Sequence, residues 1–177
     1  MASYTVADYL LDRVQIEETV TRLLWYADRK EWDKISSVFA ENIVIDYTNL
    51  FGGEPVSTTG TDQAKAWKDM VNYLDATQHV ASGLLMDLPQ PSADHDSVQR
   101  PTEVKFTCNV FASHVKTTAR GGPLLDIGGR YNIKAIRLTE ALAGNPWRIQ
   151  SLKAYGVPLS VTSDCLLLNR SFDSHFL

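Results

Sequence analysis

The sequence predicts an α+β fold with N-terminal helices inside a strongly curved, mainly antiparallel sheet. Three observations lead to this prediction. Helical spacing of apolar residues dominates the first part of the 177-residue chain. Alternation of apolar and polar residues then recurs in several long segments, and Gly- or Pro-containing turns join the later ones. Helices followed by a run of antiparallel strands are typical of α+β proteins. A sheet wrapped around helices leaves a cone with an internal pocket, and the mouth of such a cone is a common ligand site.

The N-terminal part is predicted to contain three helices. Apolar residues recur at helical spacing over Asp12–Lys30, and Asp28 lies at the edge of that stripe. A second helix is expected from about Glu31 to Phe39, and a third from about Gln63 to Leu74. The segment Phe51–Gly60 is rich in Gly, Pro, Ser and Thr and is predicted to be a loop.

Alternating residues predict the strands of the sheet. They cover Ile43–Tyr47, Thr77–Leu88, Glu103–Thr118, Leu125–Thr139 and Trp147–Gly156. A polar loop is predicted over Pro89–Pro101, and the even-numbered residues from Val104 to His114 are predicted to share one face. No second domain or internal repeat is evident, so residues 1–177 are expected to form one domain. Its apolar tail, about 157–177, is expected to pack back on the body over the pocket.

Composition argues against several classes of partner. The net charge of −4 and the pI of about 5.5 disfavour nucleic acid and anionic membranes, which usually require a basic surface. No apolar run approaches the roughly 20 residues that span a bilayer, and the N-terminus lacks the pattern of a signal peptide. Cys108 and Cys165 form no disulfide framework and no close metal-binding spacing. A cytoplasmic location is the simplest interpretation.

Three polar residues stand out because each lies in or beside an apolar segment. Asp28, His79 and His114 are far apart in the chain and can meet only inside a folded pocket. A buried acid with two imidazoles is the minimum set for moving protons without a cofactor. Each also has a purely structural explanation, such as a capped helix end or a hydrogen-bonded core histidine. The same trio could bind a metal, but it lacks the short spacing that anchors many metal sites.

The order of residues resembles that of the SnoaL-like polyketide cyclase and scytalone dehydratase superfamily, whose members share an α+β cone. The similarity extends from about Val14 to Tyr155. It is carried by Tyr26–Asp33, Val44–Tyr47, Thr77–His79, His114, Gly129–Asn132 and Trp147–Ile149.

The resemblance implies roles for individual residues. An acid matching Asp28 would support one of two pocket histidines, which match His79 and His114. A tyrosine matching Tyr47 would polarise a substrate carbonyl, and an asparagine near Asn132 would bind a hydroxyl. One departure is that the dehydratase has a tyrosine directly before its acid, where this chain has Ala27.

These observations together predict a cofactor-independent lyase or isomerase. It would act by acid–base chemistry on a small, apolar, oxygenated intermediate of polyketide or terpenoid type. His79, Asp28, His114 and Tyr47 are the predicted catalytic residues, and no metal is expected. The predicted substrate-binding residues are Asn132, Tyr26, Trp67, Met70, Phe106, Val110, Tyr131 and Phe172.

Alternative hypotheses remain at this stage. The cone could bind a ligand without catalysis, since a fold does not determine function. An epoxide hydrolase of the same fold would need an Asp–Arg–Asp set, for which Arg130 is the candidate arginine. Relatives with this fold form dimers and trimers, so a homo-oligomer is expected.

Overall fold

The helices and strands are defined in a computed structural model that describes residues 3–91, 98–120, 122–139 and 144–158. The helices are α1 (Val6–Asp28), α2 (Trp32–Ile35), α3 (Thr48–Phe51) and α4 (Gly60–Asn72), with a 3-10 turn at Ser36–Val38. The strands are β1 (Phe39–Asp46), β2 (Val56–Thr59), β3 (Ala76–Met86), β4 (Glu103–Val115), β5 (Leu124–Arg137) and β6 (Trp147–Pro158).

The six strands form one curled, unclosed sheet in the order β2-β1-β6-β5-β4-β3. Neighbouring strands run antiparallel except β1 and β6, which are parallel. The long helix α1 packs against the sheet through contacts with β3 and β6. The predicted α+β fold is therefore confirmed, and among the strands that the structure describes one parallel pair makes the sheet mixed.

Helix α1 begins at a capping box. The Thr5 hydroxyl accepts the Asp8 backbone N–H at 3.1 Å, and the Asp8 carboxylate accepts the Thr5 N–H at 3.1 Å. This reciprocal pair satisfies backbone donors that a helix start leaves unpaired, so the helix begins at Val6 rather than at Asp12. Although α1 has 23 residues, none of the helices in the described ranges is apolar enough along its length to cross a membrane.

Alternation along β4 sets the inside of the cone. The even-numbered residues from Val104 to Ala112 are buried and His114 is half-buried, while their odd-numbered neighbours are more exposed. We call the side of the sheet that carries these even-numbered residues the inward face. Pairing extends it to neighbouring strands, because His79 is opposite Ala112 and Tyr131 is opposite Cys108.

Two predicted elements of the N-terminal part were wrong. The segment Phe51–Gly60 is not a continuous loop, because its β-branched residues form β2, which pairs with β1 at the edge of the sheet. The expected helix Glu31–Phe39 is limited to α2 and the 3-10 turn, since Phe39 already has an extended backbone and begins β1. Helix α1 ends at Asp28 because Lys30 adopts a left-handed φ of 56°.

Part of the C-terminal prediction lies outside the described residues. Strand β6 continues to Pro158, two residues beyond the predicted end. Residues 159–177, which include the predicted pocket residue Phe172, are not among those the structure describes.

Two glycines face each other where β5 meets β6, and they should differ in their tolerance of alanine. A Cβ at Gly129 would lie 2.0 Å from the Tyr155 carbonyl oxygen, whereas one at Gly156 would meet Leu50 Cδ2 at 2.1 Å. Because a backbone atom cannot move without shifting the strand, Gly129→Ala should lower the free energy of unfolding by about 1–3 kcal/mol. Gly156→Ala should cost less, since the Leu50 side chain can rotate. Urea unfolding of both variants tests this, and equal stability of Gly129→Ala and the wild type would contradict it.

Candidate active site

The carboxylate of Asp28 and the side chain of His79 form a close pair between α1 and β3. His79 Nδ1 lies 2.6 Å from Asp28 Oδ1, and the His79 backbone N–H donates to Asp28 Oδ2 at 2.7 Å. Only 18% of the Asp28 side chain and 13% of the His79 side chain are exposed. The two residues that the sequence places 51 positions apart therefore meet in a largely water-excluded setting.

A third donor reaches the same carboxylate. The Thr77 hydroxyl donates to Asp28 Oδ1 at 2.8 Å. Thr77 and His79 are two positions apart on β3, so both side chains lie on the inward face. Two residues of β3 thus supply all three of these contacts to the carboxylate at the C-terminal end of α1.

The protonation states within the pair follow from these contacts. Burial raises the pKa of the Asp28 carboxyl, but hydrogen bonds from the His79 ring and backbone, the His79 charge and the Thr77 hydroxyl outweigh it, and the pKa is lowered. An ionised carboxylate only accepts hydrogen bonds, so the contact assigns the hydrogen to His79 Nδ1. With Nδ1 donating to the carboxylate, Nε2 is the nitrogen of the neutral His79 ring that carries the lone pair and accepts a proton.

His114 lies beside this pair. Its ring is edge-to-face with that of His79, with the ring centroids 5.3 Å apart. Burial, and then the charge of His79, lower the pKa of His114 to about 4, so its imidazole is neutral at neutral pH. A cavity of about 20 Å³ adjoins His114, which is space for about one water molecule. The structure therefore brings Asp28, His79 and His114 together, and of the three His114 lines this cavity.

The lowered pKa of His114 should make folding pH-dependent. Between its ordinary pKa of 6.5 and the folded value of about 4, the unfolded chain binds more protons at this position. The free energy of unfolding should therefore fall as pH falls through this window, with the stabilisation fully present above pH 6.5. His114→Gln cannot titrate, so its stability should fall less steeply. Urea unfolding across the window compares the two proteins, and identical slopes would contradict the assignment.

Tyr47 follows β1 directly and is held by an aromatic neighbour. Trp67 Nε1 donates to the Tyr47 hydroxyl oxygen at 3.0 Å, and the Phe51 ring packs edge-to-face against Tyr47 at 6.0 Å. Burial, and then the nearby Tyr131, raise the pKa of Tyr47. The phenol is therefore neutral. Because its oxygen accepts the hydrogen bond from Trp67, its own hydrogen points away from Trp67 and can be donated to another group.

Tyr131 is on the inward face, where it pairs with Cys108. Burial raises the pKa of Tyr131, and the charges of Cys108 and Asp28 raise it further. Burial raises the pKa of Cys108 to about 11, although a hydrogen bond with the Tyr131 backbone lowers it, so the thiol is protonated. Both groups are thus neutral constituents of the interior near Asp28.

The remaining predicted wall residues pack in the same core. Trp67, Phe106 and Val110 are buried. Met70 and Tyr26 are partly buried against them, and the Lys34 ammonium lies 5.6 Å from the centre of the Tyr26 ring. These five side chains are therefore part of an apolar and aromatic core or pack against it.

Asn132 and Arg130 do not join this group, which corrects their predicted roles. The inward positions of β5 are odd-numbered, because Tyr131 pairs with the buried Cys108. Asn132 is exposed on the opposite face, where its Oδ1 accepts from Thr107 at 3.1 Å. Arg130 is also exposed, with its guanidinium 4.6 Å from the Tyr155 ring centre. The hypothesis of an epoxide hydrolase therefore loses its arginine.

Thr77 was not predicted as a site residue. A usable signal was present, because residues two apart on a strand share a face and His79 was already a candidate. The metal hypothesis gains no geometric support: within the described ranges, no three His, Cys, Asp or Glu side chains are grouped to hold a metal ion.

Comparisons with solved structures show the same fold. The Kfla4162 protein from Kribbella flavida is similar with a TM-score of 0.68 and 23% identity, over 84% of this chain and 93% of that one. A protein named as a scytalone dehydratase from Novosphingobium aromaticivorans has a TM-score of 0.66 and 16% identity, over 90% and 95%. A hexachlorocyclohexane dehydrochlorinase, LinA-type3 from Novosphingobium barchaimii, has a TM-score of 0.61 and 16% identity, over 88% and 95%.

Sequence comparison identifies the family. No curated protein matches the chain in sequence. The family model of the SnoaL-like domain matches residues 8–153, which include Asp28, His79 and His114. Because that model matches most of its length and the chain has the cone fold, this chain belongs to the SnoaL-like family.

Proposed function

We propose that this protein is a cofactor-independent lyase or isomerase that acts on a small, apolar, oxygenated molecule of polyketide or terpenoid type. The observation that carries the proposal is the Asp28–His79 pair, with His79 Nδ1 2.6 Å from the carboxylate and Nε2 left as a proton acceptor. A neutral imidazole bonded to a carboxylate is a stronger base, because the imidazolium that forms is stabilised. The apolar and aromatic core formed by the predicted binding residues supports a substrate of low polarity.

The first step would be proton removal by His79 Nε2 from a carbon beside a carbonyl group. Asp28 would stabilise the imidazolium, and the Tyr47 hydroxyl would donate to the developing enolate oxygen. Stabilisation of such an oxygen is usually the largest single contribution to catalysis. The Trp67 contact supports this role, since it leaves the Tyr47 hydrogen available to the substrate.

The second step would return the same proton. The His79 imidazolium would protonate a departing hydroxyl, which leaves as water, or another carbon, which yields an isomer. His114 is neutral, so it would orient the departing group by a hydrogen bond rather than act as a charged acid. Positive charges on both His79 and His114 would repel each other, because the two rings are in contact. We therefore expect only one of the two imidazoles to be positively charged at a time.

The names of two structural relatives support an elimination. One is called a dehydratase, a name that describes loss of water. The other is called a dehydrochlorinase, a name that describes loss of hydrogen chloride. Dehydration is therefore the form of the reaction that we place first. Assembly into dimers or trimers and a cytoplasmic location stay predictions, to be tested by light scattering and cell fractionation.

A panel of β-hydroxy ketones and ketols of increasing size tests the proposal. Products are followed by mass spectrometry for loss of water, and proton NMR in deuterated buffer detects exchange beside the carbonyl. Exchange or loss of water that depends on the protein supports the proposal. Binding with neither exchange nor conversion would identify a ligand-binding protein instead.

A further inference from the structure

The Thr77 hydroxyl donates a hydrogen bond to the same carboxylate that contacts His79. It lies 2.8 Å from Asp28 Oδ1, the same oxygen that faces His79 Nδ1 at 2.6 Å. We infer that Thr77 is a positioning residue, whose hydroxyl holds the Asp28 carboxylate in the orientation that keeps His79 Nε2 a proton acceptor. The inference rests on the proposed function.

The carboxylate is in an unfavourable place without donors. Asp28 is the last residue of α1, where the helix dipole presents its negative end, and its side chain is mostly buried. Both effects disfavour the ionised form that the pair requires. The hydrogen bonds described above reverse this, and Thr77 supplies one of them from a residue other than the base itself.

Contacts with His79 alone would leave the orientation of the Asp28 carboxylate dependent on one residue. Its backbone N–H engages Oδ2 and its ring engages Oδ1, so any movement of His79 moves both contacts together. A carboxylate oxygen can accept more than one hydrogen bond, and Oδ1 lies in contact with both the Thr77 hydroxyl and the His79 ring. The oxygen is thereby fixed by a side chain that the reaction does not displace.

The choice of threonine is informative at this position. A valine at residue 77 would suit a strand equally well, since both residues are β-branched. Thr77 is half-buried, so its hydroxyl is partly removed from water, and the hydrogen bond to Asp28 compensates for that loss. Removing the hydroxyl while keeping the shape therefore isolates its effect on the carboxylate.

The test compares Thr77→Val and Thr77→Ser with the wild type, using carbon NMR to follow titration of the Asp28 carboxyl. The valine variant should raise the pKa of Asp28, and the serine variant should restore the wild-type value. Thr107→Val is the matched control, because it removes a hydroxyl that faces Asn132 on the outer side of the sheet. If the valine variant does not fold, as judged by thermal melting, Thr77→Ala is titrated in its place with the same expectation.

A kinetic readout separates positioning from substrate binding. With a substrate from the panel, Thr77→Val should lower kcat by about tenfold to a hundredfold and leave KM unchanged. An unchanged Asp28 pKa in a folded variant without the hydroxyl would overturn the inference, even where His79→Ala has lost its activity. Full activity of His79→Ala would instead overturn the proposed function, which makes the two failures distinguishable.

Discussion

Replacement of His79 by alanine is expected to lower turnover by roughly 10²–10⁴-fold, the usual contribution of a general base. His79 Nε2 is the proton acceptor in the proposed first step, and alanine offers none. Asp28→Asn should have an effect of similar size, because an amide lacks the charge that stabilises the imidazolium. Steady-state turnover of a substrate from the panel is the measurement, with circular dichroism to show that each variant is folded.

A matched control distinguishes the pair from carboxylates in general. Asp46 also accepts hydrogen bonds, from Thr48 and Lys153, but it ends β1, which three strands separate from the strand of His79 in the sheet. Asp46→Asn should retain turnover. The variant that lacks both Asp28 and His79 should be little worse than either single variant, since residues that act as a unit are not additive. Normal turnover in both single variants would remove the mechanism.

Substitution of Asp12 by alanine is expected to cause the largest loss of stability, about 3–5 kcal/mol. Asp12 is fully buried, and its carboxylate accepts from Arg100 at 2.8 and 3.1 Å and from Trp147 Nε1 at 3.0 Å. Removing it leaves the guanidinium and the indole N–H without their buried acceptor. Urea unfolding measures the change.

The control for Asp12 is Asp8, which also accepts a hydrogen bond from Arg100. Asp8 accepts from Arg100 Nη1 at 2.9 Å, but its side chain is 31% exposed. Asp8→Asn should therefore destabilise the protein far less than Asp12→Ala, because solvent can replace the lost contact. Equal losses would show that burial is not the source of the Asp12 effect.

The sequence was sufficient where local periodicity determines structure. Alternation along β4 identified its inward face correctly, including the position of His114. It could not decide the face of Asn132, because that depends on the pairing of Tyr131 with Cys108 across two strands. The side of β5 that faces the interior is thus set by sheet register rather than by its own residues.

Long-range partners were the other limit. Asp12 and Arg100 are 88 positions apart, and no local pattern around either residue indicates that they meet. Asp28 and His79 are also far apart in the chain, at 51 positions. Each of them interrupts an apolar segment, however, so each could be chosen as a candidate from the sequence alone. The spacing of Thr77 from His79 places both on one face of β3, but the contact of its hydroxyl with the carboxylate depends on how α1 packs on the sheet.

The parallel pairing of β1 with β6 has a consequence for biosynthesis. Strand β1 is made early, yet one of its two neighbours is the final strand of the sheet. Its other neighbour, β2, has only four residues and is a weak partner alone. The pairing of β1 with β6 must therefore wait until β2 to β5 and β6 itself have been synthesised, and closing so long a loop makes this step a slow one.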